Sequence, residues 1–360
     1  MKQKLLAALK YFLLFSAGLT LLWLTFRHQD LSEIYEKIKQ ADPFWLAASL
    51  FLAVLAFISR AIRWVILMEP LGIKPKLGPT FYALMIGYFA NLAIPRIGEI
   101  TRCATLSKSE KLSFNNLIGT VIVERVIDLF MLFFSMLLVA ISEFDVLGNF
   151  LQEKILLPIF SGIHGTKGIL TVAAAGVLFT IVVVLIIKKL GNNSLVTKLK
   201  KIVSEVSAGL KSVLRMKNNG WFLFHTFFIW FIYFLMTYVC FYCLPATSHL
   251  DMKAGLFVLV IGGLGMSAPV QGGIGAFHYI VSQGLLLFGV SYTDGIVYAT
   301  LVHTTQTLLV VLLGTMSLLL MFLHNKKNAQ SNHESAEPPL SSSTLSDIPN
   351  KTIVNDTFKL

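Results

Sequence analysis

The chain has 360 residues, of which 55% are hydrophobic and only 14% are charged, whereas an ordinary soluble protein is about one quarter charged. This composition excludes a purely soluble protein, and the formal net charge of +11 indicates cytoplasmic loops of a membrane protein rather than nucleic-acid binding. Three cysteines exclude a disulfide-rich scaffold. No Cys and His residues have the spacing of a zinc site, so we expect neither a metal nor a cofactor.

Six apolar segments are long enough to cross the hydrocarbon core, which takes about 20 residues of helix. They are Leu5–Phe26, Phe44–Met68, Leu117–Ile141, Ile169–Ile187, Trp221–Leu244 and Ile296–Leu323. Lys2 and Lys4 precede the first segment, but its apolar run is too long for a signal peptide, so we expect a retained helix. Apolar positions at helical spacing within 30–41 predict a short interfacial helix after it.

Two further apolar segments are shorter and interrupted. Thr80–Pro95 contains Gly87 and Asn91 and ends in proline. Ala254–Pro269 contains several glycines and is followed directly by a second apolar run, Ile274–Val290. Each segment could cross the membrane, or it could form one limb of a hairpin that enters and returns on the same side.

The positions of the cations favour the hairpins. With the N-terminus inside, six crossings and two re-entrant hairpins at about 80–116 and 254–290 place 23 of the 30 cationic residues inside. If Thr80–Pro95 crossed instead, the eight cations from Lys188 to Lys217 would lie outside, against the positive-inside rule. The sequence therefore predicts an all-α, multi-pass protein of the cytoplasmic membrane. Both termini are cytoplasmic, and the two hairpins enter from opposite faces, as in an inverted repeat.

Two cytoplasmic segments complete the predicted organisation. Residues 192–217 repeat apolar positions between cations, which predicts an amphipathic helix on the inner leaflet. Residues 325–360 are rich in Ser, Asn, Pro and charge, which predicts a disordered tail after a transmembrane domain of residues 1–324.

Three motifs in these segments carry a resemblance to a known family. Residues 95–102 read Pro-Arg-Ile-Gly-Glu-Ile-Thr-Arg, residues 124–128 read Glu-Arg-Val-Ile-Asp, and residues 271–275 read Gln-Gly-Gly-Ile-Gly. In this order they resemble the membrane domain of the lysylphosphatidylglycerol synthases, over about residues 5–323. The resemblance implies a flippase-like domain that moves or binds lipid-linked substrates. His278 stands where that family often has an acid, and the chain lacks the soluble aminoacyl-transfer domain of full-length synthases, so we expect no lysyl transfer by this chain alone.

The predicted span Leu117–Ile141 contains three charged residues, Glu124, Arg125 and Asp128. Glu124 and Asp128 are four residues apart and share a helix face, and Arg125 can pair with Asp128 three residues further on. A charge within a span costs about 2.5–3.5 kcal/mol on insertion scales, so it needs a partner or a polar cavity. The three residues therefore predict an ion or headgroup site, with a structural ion-pair network as the alternative.

Arg96, Glu99 and Arg102 follow the helix break that the proline predicts. Guanidinium groups bind phosphate in a planar fork, so Arg96 and Arg102 are candidates to clasp a lipid phosphate. Glu99 would then orient one of them or pair with Arg125. The alternative is that both arginines extend to the inner interface as topology anchors.

The second hairpin adds glycine and histidine candidates. The glycine turn at 271–275 could present bare N–H groups to an anion, although glycines also pack helices in lipid. His278 could be a proton switch, but a structural hydrogen bond is favoured. Thr300, His303, Thr304 and Thr307 share one predicted helix face, where they would line a cavity or bond to neighbouring helices. The complete predicted substrate-binding set is Asn91, Arg96, Glu99, Arg102, Glu124, Arg125, Asp128, Gln271, Gly272, Gly273, Gly275, His278 and His303.

Two motifs receive structural interpretations. Arg60 and Arg63, followed by Trp64, end the second span and are predicted to be interface anchors. Cys240 and Cys243 have the spacing of a redox motif, but they lie in an apolar helix with no thioredoxin context, so we expect them to serve packing.

The first functional hypothesis is a lipid flippase or lipid-binding transporter for a phospholipid or an isoprenoid-linked lipid. Its partners would be the bilayer and an anionic or phosphate-bearing lipid, without nucleic acid. The alternatives are a membrane enzyme of lipid or glycolipid modification that uses Glu99, Glu124 and Asp128, and a scaffold for a separate soluble synthase. The absence of a recognisable nucleotide motif, metal motif or soluble transferase domain favours a role without catalysis, and homo-oligomerisation is left open.

Overall fold

The computed structural model describes residues 16–142 and 216–334, and the described chain is all helical, as the composition predicts. Before the gap, α1 to α6 comprise Ser16–Phe26, Leu31–Lys39, Pro43–Met68, Leu77–Ala93, Gly98–Glu110 and Phe114–Ser142. After it, α7 to α10 comprise Asn219–Val239, Met252–Ser267, Ala276–Leu286 and Tyr292–Glu334. Short 3-10 turns at Glu69–Leu71, Cys240–Cys243 and Gln271–Gly273 follow α3, α7 and α8.

Four helical segments among the described residues are long and apolar enough to cross a membrane. They are Pro43–Leu71, Phe114–Ser142, Asn219–Cys243 and Tyr292–Asn328, and they correspond to four of the six predicted spans. The described part of the first predicted span is the shorter apolar helix α1. The predicted span Ile169–Ile187 and nearly all of the predicted amphipathic helix lie outside the described residues.

The last helix extends beyond the predicted start of the tail. α10 continues to Glu334, so residues 325–334 are helical rather than disordered. The physical reason is that the segment contains several good helix formers, such as Lys326 and Lys327, and no glycine or proline interrupts it. The remainder of the predicted tail, 335–360, lies outside the described residues.

The predicted interfacial helix is present as α2. Its N-cap is Asp30, whose side chain accepts a hydrogen bond from the Ser32 N–H at 2.8 Å. Lys37 connects α2 to the start of α10, because its Nζ lies 2.7 Å from Oδ1 of Asp294. This hydrogen bond to Asp294 is the main reason that the pKa of Lys37 is raised above its ordinary value, so Lys37 keeps its positive charge to a higher pH than a free lysine does.

Both interrupted segments fold as helical hairpins. The first consists of α4 and α5, and the chain breaks between them at Pro95, which cannot continue a helix because it lacks an N–H and its ring clashes with the preceding turn. The second consists of α8 and α9. Its connection contains Pro269, and three of its glycines adopt positive φ angles that other residues rarely take.

A glycine at each hairpin allows its two helices to approach closely. A Cβ atom at Gly98 would overlap the carbonyl oxygen of Gly87, and the Gly98 N–H donates to Oδ1 of Asn91 at 2.7 Å. A Cβ atom at Gly265 in α8 would lie 2.9 Å from Cα of Phe277 in α9. Helices commonly pack closely through small residues in a membrane, because the hydrophobic effect does not drive their association in lipid.

The two hairpins contact each other at their tips. Arg96, at the break of the first hairpin, donates from Nη2 to the carbonyl oxygen of Ser267 at the end of α8, at 3.2 Å. A Cβ atom at Gly272 would lie 3.1 Å from Leu92 of the first hairpin, so these two turns are also in close contact. The two hairpins therefore meet at their tips through Arg96 and the turn at Gly272.

Candidate functional site

A largely buried group of charged side chains joins α3, α5 and α6. The two arginines of α3 are three residues apart and the two carboxylates of α6 are four residues apart, so each pair lies on one face of its helix. We call this group the charge cluster. Its members are Arg60, Arg63, Glu99, Arg102, Glu124, Arg125 and Asp128.

Glu124 is the most buried carboxylate of the charge cluster, with only 1% of its surface exposed. Its Oε1 lies 2.5 Å from Nη2 of Arg60 and 3.3 Å from Nη2 of Arg63. Its Oε2 lies 3.0 Å from Nη2 of Arg102, an ion-pair contact that lacks hydrogen-bond geometry. One carboxylate therefore holds guanidinium groups of α3 and α5 against α6, and charges buried in this way are tolerated only while they remain paired.

Asp128 and Glu99 complete the acidic part of the cluster. Asp128 Oδ1 lies 2.8 Å from Nη2 of Arg63, and Oδ2 lies 3.3 Å from Nη2 of Arg60. Arg125 makes the contact with Asp128 that its spacing predicts, because its Nη1 lies 3.8 Å from Asp128 Oδ2. Its Nη2 lies 3.5 Å from Glu124 Oε1, and its Nε lies 4.0 Å from Glu99 Oε1. These are the longest ion pairs of the cluster, so Arg125 is its most loosely held cation.

The prediction that Arg60, Arg63 and Trp64 are interface anchors is wrong. Arg63 and Trp64 are fully buried, and Arg60 is nearly so. Both arginines turn toward the carboxylates of α6, and the Trp64 Nε1–H donates to Oγ1 of Thr120 on the same helix at 2.9 Å. The reason is electrostatic, since two carboxylates within an apolar helix require cations from a neighbouring helix.

Aromatic rings form the surroundings of two of these arginines. The guanidinium carbon of Arg102 lies 4.7 Å from the ring centroid of Trp64, and that of Arg60 lies 5.7 Å from the ring centroid of Tyr88. Arg60 also donates from Nη1 to the hydroxyl of Tyr233 on α7 at 3.0 Å. Such cation–π contacts contribute about 2 kcal/mol when both partners are desolvated, so the rings favour the buried positions of the guanidinium groups.

The charge cluster is not electrically balanced. Among the described residues, four guanidinium groups face three carboxylates, which leaves one positive charge in excess. Several buried donors have no hydrogen-bond partner, among them Nε and Nη1 of Arg63 and Nη1 of Arg102. An unsatisfied buried donor is costly, so a group with acceptor oxygens and negative charge would be stabilised at this position.

One side of the charge cluster is accessible. Arg125 has 42% of its side chain exposed and Glu99 has 30%, whereas Arg60, Arg63, Arg102 and Glu124 are buried. Arg125 and Glu99 therefore form the exposed side of the cluster, in front of the buried arginines. Phosphate or carboxylate groups are the anions that match the planar donor geometry of arginine.

Arg96 does not take part in the charge cluster. Its side chain is exposed at the hairpin tip and bonds to the Ser267 carbonyl, whereas Arg102 is buried against Glu124. The predicted phosphate clasp between Arg96 and Arg102 is therefore not formed in this conformation. Arg96 also has a positive φ angle of 63°, an unfavourable value for a residue with a side chain, and such strain clusters at functional positions. Asn91, the other predicted residue of this hairpin, lies near the end of α4, and its side chain accepts a hydrogen bond from the Gly98 N–H at the start of α5.

The polar residues of the second hairpin form a separate group. His303 Nε2 lies 2.8 Å from the carbonyl oxygen of Gly272 and donates to it, and the ring centroids of His303 and His278 are 4.9 Å apart. The predicted glycine turn adopts positive φ angles at Gly272, Gly273 and Gly275, between Gln271 and the start of α9. The structure thus brings the predicted histidines together with this turn, at a place distinct from the charge cluster.

The cysteine pair is buried in the interior. Cys240 and Cys243 are free thiols in the 3-10 turn after α7, and they pack with Phe241 and Tyr298 in one hydrophobic core. This burial agrees with the predicted packing role.

Comparison with known proteins identifies one family and one similar protein. A family model described as the lysylphosphatidylglycerol synthase TM region matches residues 8–314. The chain is also similar to the UPF0104 membrane protein MJ1595 of Methanocaldococcus jannaschii, with 25% identity over an alignment of 262 residues that covers 67% of this chain and 77% of that protein. No solved structure matches the chain.

Proposed function

The chain belongs to the family of the lysylphosphatidylglycerol synthase transmembrane region, and we propose that it binds a phosphate-bearing lipid and moves it across the cytoplasmic membrane. The observation that carries this proposal is the excess of guanidinium groups over carboxylates in the charge cluster, together with the burial of three of those guanidinium groups. A phospholipid or an isoprenoid-linked phosphate would supply the anionic oxygens that these groups lack.

The lipid phosphate would bind at the unsatisfied donors. It would enter past Arg125 and Glu99 and accept hydrogen bonds from Arg63 and Arg102, which have buried N–H groups without partners. The phosphate would also neutralise the excess positive charge. Arginine suits this role better than lysine, because its fork of donors can engage two phosphate oxygens at once.

Movement of the lipid would require the two hairpins to shift relative to each other. The long contact of Arg125 with Glu99 of the first hairpin and the single hydrogen bond from Arg96 to Ser267 are the connections that such a shift would exchange first. Two interrupted helical hairpins, inserted from opposite faces and meeting near the middle of the bilayer, are typical of transporters built from inverted repeats. The similar construction of the pairs α4–α5 and α8–α9 supports this arrangement.

The proposed orientation places the two ends of α7 on opposite sides of the membrane. In a variant without the three native cysteines, we expect a cysteine at Lys217 to react with a membrane-impermeant thiol reagent only after the cells are permeabilised. A cysteine at His249, beyond the other end of α7, should react in intact cells. These expectations follow from the positive-inside rule. The opposite labelling pattern would overturn the proposed topology.

Lipid transfer in proteoliposomes tests the proposed function directly. We expect Arg125→Gln to reduce transfer of a fluorescent phospholipid by about tenfold or more, because it removes the exposed cation past which the phosphate would enter and the excess positive charge that the phosphate would neutralise. The matched control is Lys74→Gln, which removes the same charge from an exposed loop position and should leave transfer unchanged. Equal transfer by Arg125→Gln and the unmodified protein would contradict the proposal. Recovery of a chemically altered lipid would instead support the alternative of a membrane enzyme.

A further inference from the structure

A cavity of about 630 Å³ lies between α1, α9 and α10, away from the charge cluster. Its volume is within the range of sites that bind small molecules. Much of its lining is apolar and comes from α1, including Leu19, Leu22, Trp23 and Phe26, with Leu308 of α10 opposite. Leu19, Trp23 and Leu308 are also exposed, so the cavity opens onto an apolar surface.

Five polar residues line this cavity. Thr300, His303, Thr304 and Thr307 line it from one face of α10, and His278 lines it from α9. The side chain of His278 is 95% buried, since its exposed fraction is 5%, and its Nδ1 has no hydrogen-bond partner. The Oγ1 atom of Thr300 is likewise buried without a partner. Two buried polar atoms of lining residues therefore lack a partner, and a buried polar atom is costly to leave unsatisfied.

The character of the lining limits the ligand. None of the described residues that line the cavity is charged, so nothing there would compensate a phosphate or a carboxylate. His303 already donates to the Gly272 carbonyl, and Phe26 and Phe277 lie beside the histidine pair, with ring centroids 6.3 Å from His278 and 5.4 Å from His303. The ligand must therefore be mainly apolar and must carry an uncharged oxygen.

We propose that this cavity is a second lipid site, which takes an acyl chain and hydrogen-bonds its uncharged ester or hydroxyl oxygen through His278 and Thr300. The occupant comes from the bilayer, because the cavity opens on an apolar surface beside α10, a helix long enough to span the membrane. Thr300 can donate or accept through its hydroxyl, and a neutral imidazole can do either, so both match an ester or a hydroxyl group. This site does not depend on the proposed lipid transport.

Quenching of Trp23 by a brominated diacylglycerol tests the second lipid site. The lipid is titrated into the full-length protein in detergent micelles, and the specific signal is the part of the quenching that Trp23→Phe removes. We expect Thr300→Val to weaken the apparent affinity about three- to tenfold, the loss typical of one hydrogen bond. Thr305→Val is the matched control on the same helix. The Thr305 hydroxyl donates to the Leu301 carbonyl and does not line the cavity. The affinity of Thr305→Val for the lipid should therefore equal that of the unmodified protein.

A brominated phosphatidic acid with the same acyl chains completes the experiment. We expect it to bind more weakly than the diacylglycerol. Equal binding of the two lipids would overturn the requirement for an uncharged group, and parental affinity in Thr300→Val would overturn the assignment of the hydrogen bond. Absence of Trp23-dependent quenching would overturn the lipid site altogether. The cavity would then be assigned to a second copy of the chain if the protein were a dimer and Thr304→Trp, which fills the cavity, disrupted that dimer. Trp23-dependent quenching by the diacylglycerol should persist in Arg125→Gln. The second lipid site can therefore be tested even if the proposed transport fails.

Discussion

Glu124→Gln is expected to lower the free energy of unfolding by about 3–5 kcal/mol, the loss found when one partner of a buried ion pair is removed. The carboxylate contacts Arg60, Arg63 and Arg102, which are all buried, so its neutralisation leaves uncompensated charges that cannot reach water. The loss should appear as a lower midpoint in denaturant titration or thermal unfolding of the purified protein.

Two further variants make the Glu124 experiment specific. Glu36→Gln removes a carboxylate that pairs with Lys39 on the exposed face of α2, and it should cost at most about 1 kcal/mol. Combining Glu124→Gln with Arg60→Met removes one charge of each sign and should recover part of the lost stability. If Glu124→Gln unfolded at the same midpoint as the unmodified protein, Glu124 would not stabilise the buried arginines, which would contradict its role in the charge cluster.

Arg102→Lys is expected to reduce lipid transfer by about 10- to 100-fold while the positive charge is retained. Lysine keeps the charge but loses the planar fork, the unsatisfied Nη1 donor and the contact with the Trp64 ring. A charge-assisted hydrogen bond contributes about 1.5–3 kcal/mol, which corresponds to this loss of rate if the bond forms to the moving phosphate. The measurement is transfer of a labelled phospholipid between the leaflets of proteoliposomes.

The matched control for Arg102→Lys is Arg27→Lys. Arg27 also stacks on a tryptophan, with its guanidinium carbon 5.3 Å from the Trp23 ring centroid, but it lies outside the charge cluster. We expect transfer by this variant to equal that of the unmodified protein. Parental transfer by Arg102→Lys would show that positive charge alone suffices, and Arg102 would then not be a phosphate ligand.

Local chemistry predicted the breaks of the fold well. Pro95 and Pro269 cannot continue a helix, and the glycines after the second proline take left-handed conformations, so both hairpins could be located from the sequence. The length of each apolar run predicted the four long helices. Run length, like a proline or a glycine, is a property of one contiguous segment and can be read without knowing which helices pack together. The end of α10 was predicted too early, because polar composition alone does not terminate a helix.

The partners of the charged residues could not be predicted from local spacing alone. The sequence placed Glu124, Arg125 and Asp128 in one helix, and these three residues together carry one excess negative charge. This imbalance is a signal that a neighbouring helix must supply a cation, and Arg60 and Arg63 supply it. The spacing does not tell which helix packs against α6, because that depends on contacts between residues more than 60 positions apart in the chain.

The same limit applies to Arg96 and Arg102, which the sequence placed in one motif. Arg96 lies in the turn with a positive φ angle, whereas Arg102 lies within α5, so the two side chains have different partners. The face shared by Thr300, His303, Thr304 and Thr307, in contrast, follows from helical periodicity, and the structure confirms that these residues line one cavity.

The hydrogen bond between the hairpin tips has a consequence for how the chain can diverge. The acceptor is the main-chain carbonyl of Ser267, which every amino acid possesses, so mutation at this position does not remove the acceptor. Selection on the contact would therefore act on Arg96 alone. Although this hydrogen bond joins the two hairpins, it would leave no pair of covarying residues between them. Its loss would follow only from substitution of Arg96 or from a change of backbone conformation at Ser267.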